Sequence, residues 1–117
     1  MQNYRDLKVW ERAHELTLAI YEITKAYPKE EIYGLVSQLR RASSSIPANI
    51  AEGCGKKSKA EFVNFLHISL GSANEVEYFL ILSKDIGYIG QVHFEELFKL
   101  INEVKAMLIV FINKVKV

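Results

Sequence analysis

Apolar residues recur at intervals of three and four along most of the 117-residue chain, and this spacing constrains the fold more than any other feature. Such intervals place apolar side chains on one stripe of an α-helix, because the helix turns once in about 3.6 residues. The pattern predicts four helices, at about residues 6–27, 32–53, 58–86 and 91–116. No window alternates polar and apolar residues in the manner of a half-buried strand.

Three of the four apolar stripes are regular. Their residues are Val9, Ala13, Leu16, Ile20, Ile23 and Tyr27; Phe62, Leu66, Ser69, Ala73, Val76 and Leu80; and Phe94, Leu97, Ile101, Val104, Leu108, Phe111 and Val115. Asp6 is placed to cap the first helix, and Ser58 with Glu61 has the spacing of a capping box. Because short connections favour antiparallel neighbours, we predict an all-α fold: one up-down-up-down four-helix bundle domain covering residues 1–117.

The second helix contains the unusual stretch RRASSSIPANIAEG. Its apolar residues Ala42, Ile46 and Ile50 continue the stripe, so the helix is expected to run through the stretch. Pro47 has no backbone N–H, which leaves the carbonyl of Ser43 without its helical partner. We therefore predict a helix that is kinked at Pro47.

Composition and motifs argue against several classes of function. Fifteen basic and fourteen acidic residues leave a net charge of +1, whereas proteins that bind nucleic acid over their whole surface usually carry a clear basic excess. No apolar run is long enough to span a bilayer, and a single cysteine fits a reducing cytoplasm. Glu11 and His14 form half of a di-metal motif, but the other helices lack its counterparts. We expect no catalytic residues, metal, cofactor or small-molecule substrate.

Basic residues cluster around one connection. Lys56, Lys57 and Lys59 lie between the second and third helices, and Arg40 and Arg41 precede them in the second helix. One interpretation is a phosphate-contacting patch beside the N-terminus of the third helix, which also favours anions. The alternative is a solvated loop that contributes only to solubility. The residues alone leave both interpretations open.

The third helix carries small residues in its middle, at Ser69, Gly71, Ser72 and Ala73. A glycine inside a helix costs about 1 kcal/mol relative to alanine, so a close helix crossing is expected there. A further hypothesis is that Arg40 or Arg41 reaches Glu75 or Glu52 and forms a charged network.

The helices also carry more apolar residues than one buried stripe needs. The additional residues are Leu7, Trp10, Leu18 and Tyr21 in the first helix; Phe65, Ile68, Phe79 and Leu82 in the third; and Leu100, Met107, Val110 and Ile112 in the fourth. A second apolar face predicts burial against another copy of the chain. The alternative is a wide core face with scattered exposed apolar residues, which are common.

Three stretches occur in an order and spacing that resemble a known family: YRDLKVWERAHELTLAIYEITKAYP, SQLRRASSSIPANIAEG and LGSANEVEYFLILSKDIGYI. They resemble the bacterial four-helix-bundle family known as 23S rRNA intervening-sequence proteins, and the likeness covers essentially the whole chain. Some members of that family are encoded within intervening sequences of 23S ribosomal RNA genes. A similar bundle is the accessory variability protein of diversity-generating retroelements, which is strongly basic and works with nucleic acid.

The resemblance implies an antiparallel bundle that assembles into a ring-like homopentamer. The family-typical positions in this chain are Arg40, Arg41, Pro47, Asn49, Glu52, Gly53, Gly71, Ser72 and Glu75. The family offers no established catalytic role for these residues. We therefore expect a non-enzymatic, cytoplasmic, homo-oligomeric protein that acts as an adaptor for structured RNA or a nucleoprotein. The alternative is a protein-interaction scaffold with no role in nucleic-acid binding.

Overall fold

Four α-helices make up most of the protein in a computed structural model that describes residues 2–117. They are α1 (Lys8–Thr24), α2 (Leu35–Cys54), α3 (Lys59–Asp85) and α4 (Gln91–Lys116). Each helix packs against its neighbours in the chain, and α1 also packs against α4, which closes the bundle. The all-α four-helix fold predicted from the apolar spacing is therefore confirmed.

The apolar stripes meet in one core along the axis of the bundle. Its fully buried side chains come from all four helices: Ala13, Leu16 and Ile20; Leu39, Ile46 and Ile50; Leu66, Ala73, Val76 and Leu80; and Ile101, Val104 and Leu108. Each leucine, isoleucine or valine among them contributes about 1.5–3 kcal/mol through removal of apolar surface from water. Burial of the predicted apolar stripes in this core thus stabilises the packing of the four helices.

The ends of α1 and the start of α2 differ from the sequence-based bounds. Asp6 does not cap α1: it belongs to a short 3-10 turn, Tyr4–Asp6, which Asn3 caps. A second 3-10 turn, Lys29–Glu31, follows α1, so α2 begins at Leu35 rather than near residue 32. Gly34 interrupts the helical backbone with φ −107° and ψ −113°, which explains the later start.

Pro47 lies inside α2, where the proline ring removes one backbone donor. The carbonyl of Ser43, which an N–H at position 47 would otherwise have reached, accepts a hydrogen bond from Thr17 Oγ1 of α1 at 2.9 Å. Ser69 Oγ of α3 donates in the same way to the carbonyl of Ile46, also at 2.9 Å. Side chains of both neighbouring helices therefore stabilise the backbone of α2 around the proline, and the kink itself stays a prediction.

The structure separates the small residues of α3 into two groups. Ser69 and Ala73 are buried at the helix packing surface, and Ser72 contacts Ser45 of α2. Gly71, in contrast, is exposed, and a Cβ at this position would meet nothing within 4 Å beyond the backbone of its own helix. The expectation that a helix of the same chain crosses closely at Gly71 is wrong, because this residue points away from the core.

Glu31 links the two loops at one end of the bundle. Its Oε2 accepts a hydrogen bond from Tyr88 Oη at 2.8 Å, and its Oε1 accepts one from the backbone N–H of Leu35 at 3.1 Å. Both bonds favour the ionised carboxylate, so they hold the pKa of Glu31 below its ordinary value of 4.5, with the Tyr88 bond contributing most. The carboxylate thus serves as the N-terminal cap that Gly34 cannot provide.

This geometry predicts a pH-dependent contribution to stability. Because the folded pKa of Glu31 lies below its unfolded value, the contribution is complete above the unfolded pKa and is lost as the pH falls through the folded pKa. Urea unfolding of wild type and Glu31→Gln should therefore differ near neutral pH and converge in acid. Glu30→Gln, at the neighbouring exposed position, is the control, and a Glu31→Gln difference that persists unchanged in acid would contradict the assignment.

Candidate interaction site

A polar groove lies between α2 and α3 and brings together several of the family-typical residues. This α2–α3 polar groove is lined by Tyr33, Ser37, Gln38, Arg41, Ala42, Ser45, Ser72 and Glu75, and its volume is about 580 Å³. Arg41 stands on the α2 wall and Glu75 on the α3 wall. Sequence reasoning named Arg41, Ser72 and Glu75 individually, and the packing of the two helices places them in one groove.

A chain of hydrogen bonds joins the two walls beside this groove. Asn49 Nδ2 donates to Ser45 Oγ at 2.9 Å and to the Ser45 carbonyl at 2.8 Å. Ser72 Oγ of α3 donates to the same Ser45 Oγ at 2.9 Å. Ser72 therefore bonds α3 to α2, and Asn49, which lies on α2 itself, holds the Ser45 hydroxyl that accepts this bond. Both family-typical residues thus have a structural role.

The charged network proposed between the arginines and the glutamates does not form as expected. Arg41 and Glu75 share the groove, but within residues 2–117 no ion pair of 4 Å or less connects them. Glu52 pairs with Lys56 instead, in an exposed i,i+4 pair at 3.9 Å. Such an exposed pair contributes at most about 1 kcal/mol.

Arg40 is held against α1. Its Nε donates to Thr24 Oγ1 at 3.0 Å, and its Nη2 donates to the carbonyl of Tyr21 at 3.2 Å. The guanidinium also lies 4.7 Å from the centroid of the Tyr21 ring. Because a cation at the C-terminal end of a helix interacts favourably with the helix dipole, Arg40 stabilises the end of α1.

The three lysines of the α2–α3 turn have different surroundings. Lys56 Nζ lies 4.9 Å from the centroid of the Phe65 ring, and Lys59 Nζ donates to the backbone oxygen of Val117 at 3.2 Å. Lys57 is exposed. Ser58 Oγ accepts a hydrogen bond from the Glu61 N–H at 3.1 Å, so the predicted cap of α3 is confirmed.

The basic residues do not form one continuous patch. Arg41 lies thirteen residues before the end of α2 at Cys54, or about 20 Å along the helix, and the lysines follow that end. Arg40 turns towards α1, whereas Arg41 lines the α2–α3 polar groove. The turn lysines and the arginines therefore belong to separate surfaces, and any phosphate contact would have to form at one of them alone.

Cys54 is the last residue of α2, and Gly55 follows it as the C-terminal cap. The thiol is buried, and burial raises its pKa. A raised pKa keeps the thiol protonated and lowers its reactivity. The structure thus shows Cys54 as a small, buried residue at the end of α2.

Residues 2–117 contain no group of three or more His, Cys, Asp or Glu side chains placed to hold a metal ion. Over the same residues, no helix combines the length and the apolar character that crossing a membrane requires.

Sequence reasoning missed Thr17 and the pair Glu31–Tyr88. Thr17 occupies a core position of α1, and the carbonyl that Pro47 leaves unpaired could have suggested that a hydroxyl is needed nearby. Tyr88 is 57 residues from Glu31 in sequence, and no local pattern joins them. Contacts of this kind, between residues far apart in sequence, can be recognised only when the packing of the helices is known.

An apolar groove lies on the opposite side of α2. This α1–α2 groove has bulky side chains on its α1 wall and small ones on its α2 wall, and its volume is about 470 Å³. The lining residues are Tyr4, Trp10, His14, Thr17, Leu18 and Tyr21, with Ser44, Pro47, Ala48 and Ala51. Leu18 is 58% exposed and Tyr21 is 42% exposed, so the groove presents apolar surface to water.

Comparison with known proteins agrees with the fold and with the family resemblance. The family model described as 23S rRNA-intervening sequence protein matches residues 5–110. A crystal structure from Bacteroides thetaiotaomicron, of a protein with unknown function from the S23 ribosomal protein family, is similar with a TM-score of 0.83 and 32% identity. The match covers 90% of this chain and 95% of that chain. No curated protein sequence matches significantly. The chain therefore belongs to the 23S rRNA-intervening sequence protein family.

Proposed function

We propose that the protein is a non-enzymatic adaptor that works as a homo-oligomer of helical bundles. The observation that supports this most strongly is apolar exposure on regular helices. Leu18, Tyr78 and Val110 are 58%, 57% and 66% exposed, although each lies on a long, well-packed helix. Apolar surface of this kind, on several faces of a small bundle, commonly marks contacts between proteins.

The oligomer can be tested by the mass of the protein in solution. Light scattering coupled to gel filtration should give a multiple of the 13.4 kDa chain mass, with five copies as the number that the family resemblance implies. A mass of one chain at every concentration studied would contradict the proposal. Wild-type protein suffices for this measurement.

A second candidate function is contact with structured RNA at the α2–α3 turn, as the name of the family suggests. Lys57 is exposed there, beside Lys56 and Lys59, next to the N-terminus of the 27-residue helix α3. The free N–H groups and the dipole of a helix N-terminus favour anions, including phosphate. The dispersed positions of Arg40 and Arg41 weaken this candidate relative to a scaffold that binds only proteins.

Charge reversal distinguishes RNA binding from the protein scaffold. If the turn contacts RNA, changing Lys56, Lys57 and Lys59 to glutamate should abolish retention of structured RNA at low salt, and wild-type binding should weaken steeply as salt rises. The matched control reverses three exposed cations of α4: Lys99, Lys114 and Lys116. Equal RNA retention by both triple variants would exclude the turn, and absence of binding by wild type would favour the scaffold.

A further inference from the structure

One exposed stripe of α3 has the spacing of a second helix-packing surface. Its residues, which we call the α3 seam, are Ile68, Gly71, Glu75 and Tyr78, at successive intervals of three and four. Ile68 is 44% exposed and Tyr78 is 57% exposed. Intervals of three and four place these side chains along one line of the helix, as in a coiled-coil interface.

The protomer itself leaves this seam without a partner. Gly71 is exposed and meets nothing that would explain the absence of a side chain, although a glycine inside a helix costs about 1 kcal/mol. The Glu75 carboxylate has no ion pair within residues 2–117. A surface that combines exposed apolar side chains, a glycine and an unpaired carboxylate is suited to close contact with another helix.

The α1–α2 groove is complementary to the α3 seam in shape and in length. Its α2 wall consists of small residues such as Ala48 and Ala51, which leave room for the side chains of an entering helix. Trp10 and Tyr21, near its two ends, are eleven residues apart, or about 16 Å along α1. Ile68 and Tyr78 of the seam are ten residues apart, or about 15 Å.

The two surfaces are also complementary in charge. Arg40 lies over the ring of Tyr21 at one end of the groove, and Arg5 lies 5.9 Å from the centroid of the Tyr4 ring at the other. Neither guanidinium pairs with a carboxylate within residues 2–117. The seam carries the opposite charge in Glu75. Opposite charges at the edge of an apolar interface set the orientation of the partners.

From these observations we propose that the α3 seam of one copy packs into the α1–α2 groove of the next copy. This inference rests on the proposed self-assembly and names the surfaces through which it occurs. The two surfaces lie on different helices, so the contact is head-to-tail. Repetition of such a contact forms a closed ring when its rotation divides a full turn. Each protomer then contributes one groove and one seam.

Two blocking variants test the interface. Ala48→Arg fills the groove and leaves the seam intact, whereas Ile68→Glu combined with Tyr78→Glu disrupts the seam and leaves the groove intact. Each variant alone should have the mass of one chain, 13.4 kDa. An equimolar mixture should form a pair of about twice that mass, because the free seam of the first variant fits the free groove of the second.

The matched controls place the same side chains on α4. Ala106→Arg, and Val92→Glu with Ile109→Glu, alter exposed residues outside both surfaces and should keep the wild-type mass. Circular dichroism checks that every variant remains helical. Assembled Ala48→Arg, or dissociated Ala106→Arg, would overturn this interface while leaving self-assembly intact. A monomeric wild type would overturn self-assembly itself.

Discussion

Replacing Thr17 with valine is expected to lower the free energy of unfolding by about 1–3 kcal/mol, the usual cost of a buried polar group that loses its partner. Valine keeps the shape of threonine and removes only the hydroxyl. The carbonyl of Ser43 then loses the donor that lies 2.9 Å away, and Pro47 offers no N–H in its place. Urea unfolding followed by circular dichroism measures the difference.

A double-mutant cycle with Pro47→Ala separates this effect from a simple loss of packing. Alanine at position 47 restores a backbone N–H to α2, and that N–H can reach the Ser43 carbonyl. In the Pro47→Ala background, Thr17→Val should therefore cost less by about 1 kcal/mol, within the usual range for groups that share one partner. If Thr17→Val costs the same in both backgrounds, the hydroxyl does not substitute for the donor that proline removes.

Replacing Gly53 with leucine should destabilise the protein by about 1–3 kcal/mol or more, the range for overpacked interiors. A Cβ at Gly53 would lie 2.9 Å from Phe62 Cδ1 and 3.0 Å from Phe65 Cβ. The contact with Phe65 is close to the backbone of α3, so a rotation of that side chain would not relieve it. The helices would have to separate, which weakens the packing of α2 against α3.

The same leucine at an exposed position provides the control. Asn113 lies on the exposed surface of α4, where substitutions usually change stability by no more than about 0.5 kcal/mol. Thermal and urea unfolding of Gly53→Leu, Asn113→Leu and wild type can be compared directly. Equal stability of the two variants would show that α2 and α3 accommodate a side chain at Gly53.

The sequence predicted the helices well because their apolar residues follow one period. The bounds of α3 and α4 differ from the prediction by at most about one residue, since Ser58 caps α3 and Gly87, with φ +82°, lies beyond its end. The start of α2 was missed by three residues because it depends on Glu31, whose carboxylate replaces a cap that Gly34 lacks. The spacing of apolar residues within a helix cannot predict a helix end that depends on a side chain of another segment.

The candidate site was less predictable because each role depends on the packing between helices. Arg40 and Arg41 are adjacent in sequence, yet one side chain stabilises the end of α1 and the other lines the α2–α3 polar groove. Residues that are neighbours in a helix point about 100° apart, so a pair of arginines reaches two different surfaces. Likewise, Gly71 is unusual in the sequence because it lies inside a helix. The sequence does not show whether it faces a neighbouring helix of the same chain or the solvent.

The exposed position of Gly71 connects these observations with the proposed assembly. A glycine in the middle of a long helix weakens that helix, and the described protomer contains no contact that requires it. Packing of the α3 seam into the α1–α2 groove of another copy provides such a contact. The central claim is therefore that one copy presents Gly71 close to Ala48 of the next.

Cross-linking between engineered cysteines tests this claim most directly. In a Cys54→Ser background, which removes the single native thiol, a short bismaleimide should join Ala48→Cys of one copy to Gly71→Cys of another. A link within one copy leaves the mass of one chain unchanged, so covalent products of higher mass report only contacts between copies. We predict that the protein carrying both cysteines gives a ladder of covalent multiples of 13.4 kDa, whereas either cysteine alone gives no covalent pair. A covalent dimer from Ala48→Cys alone, or a doubly substituted protein without intermolecular products, would contradict the head-to-tail contact.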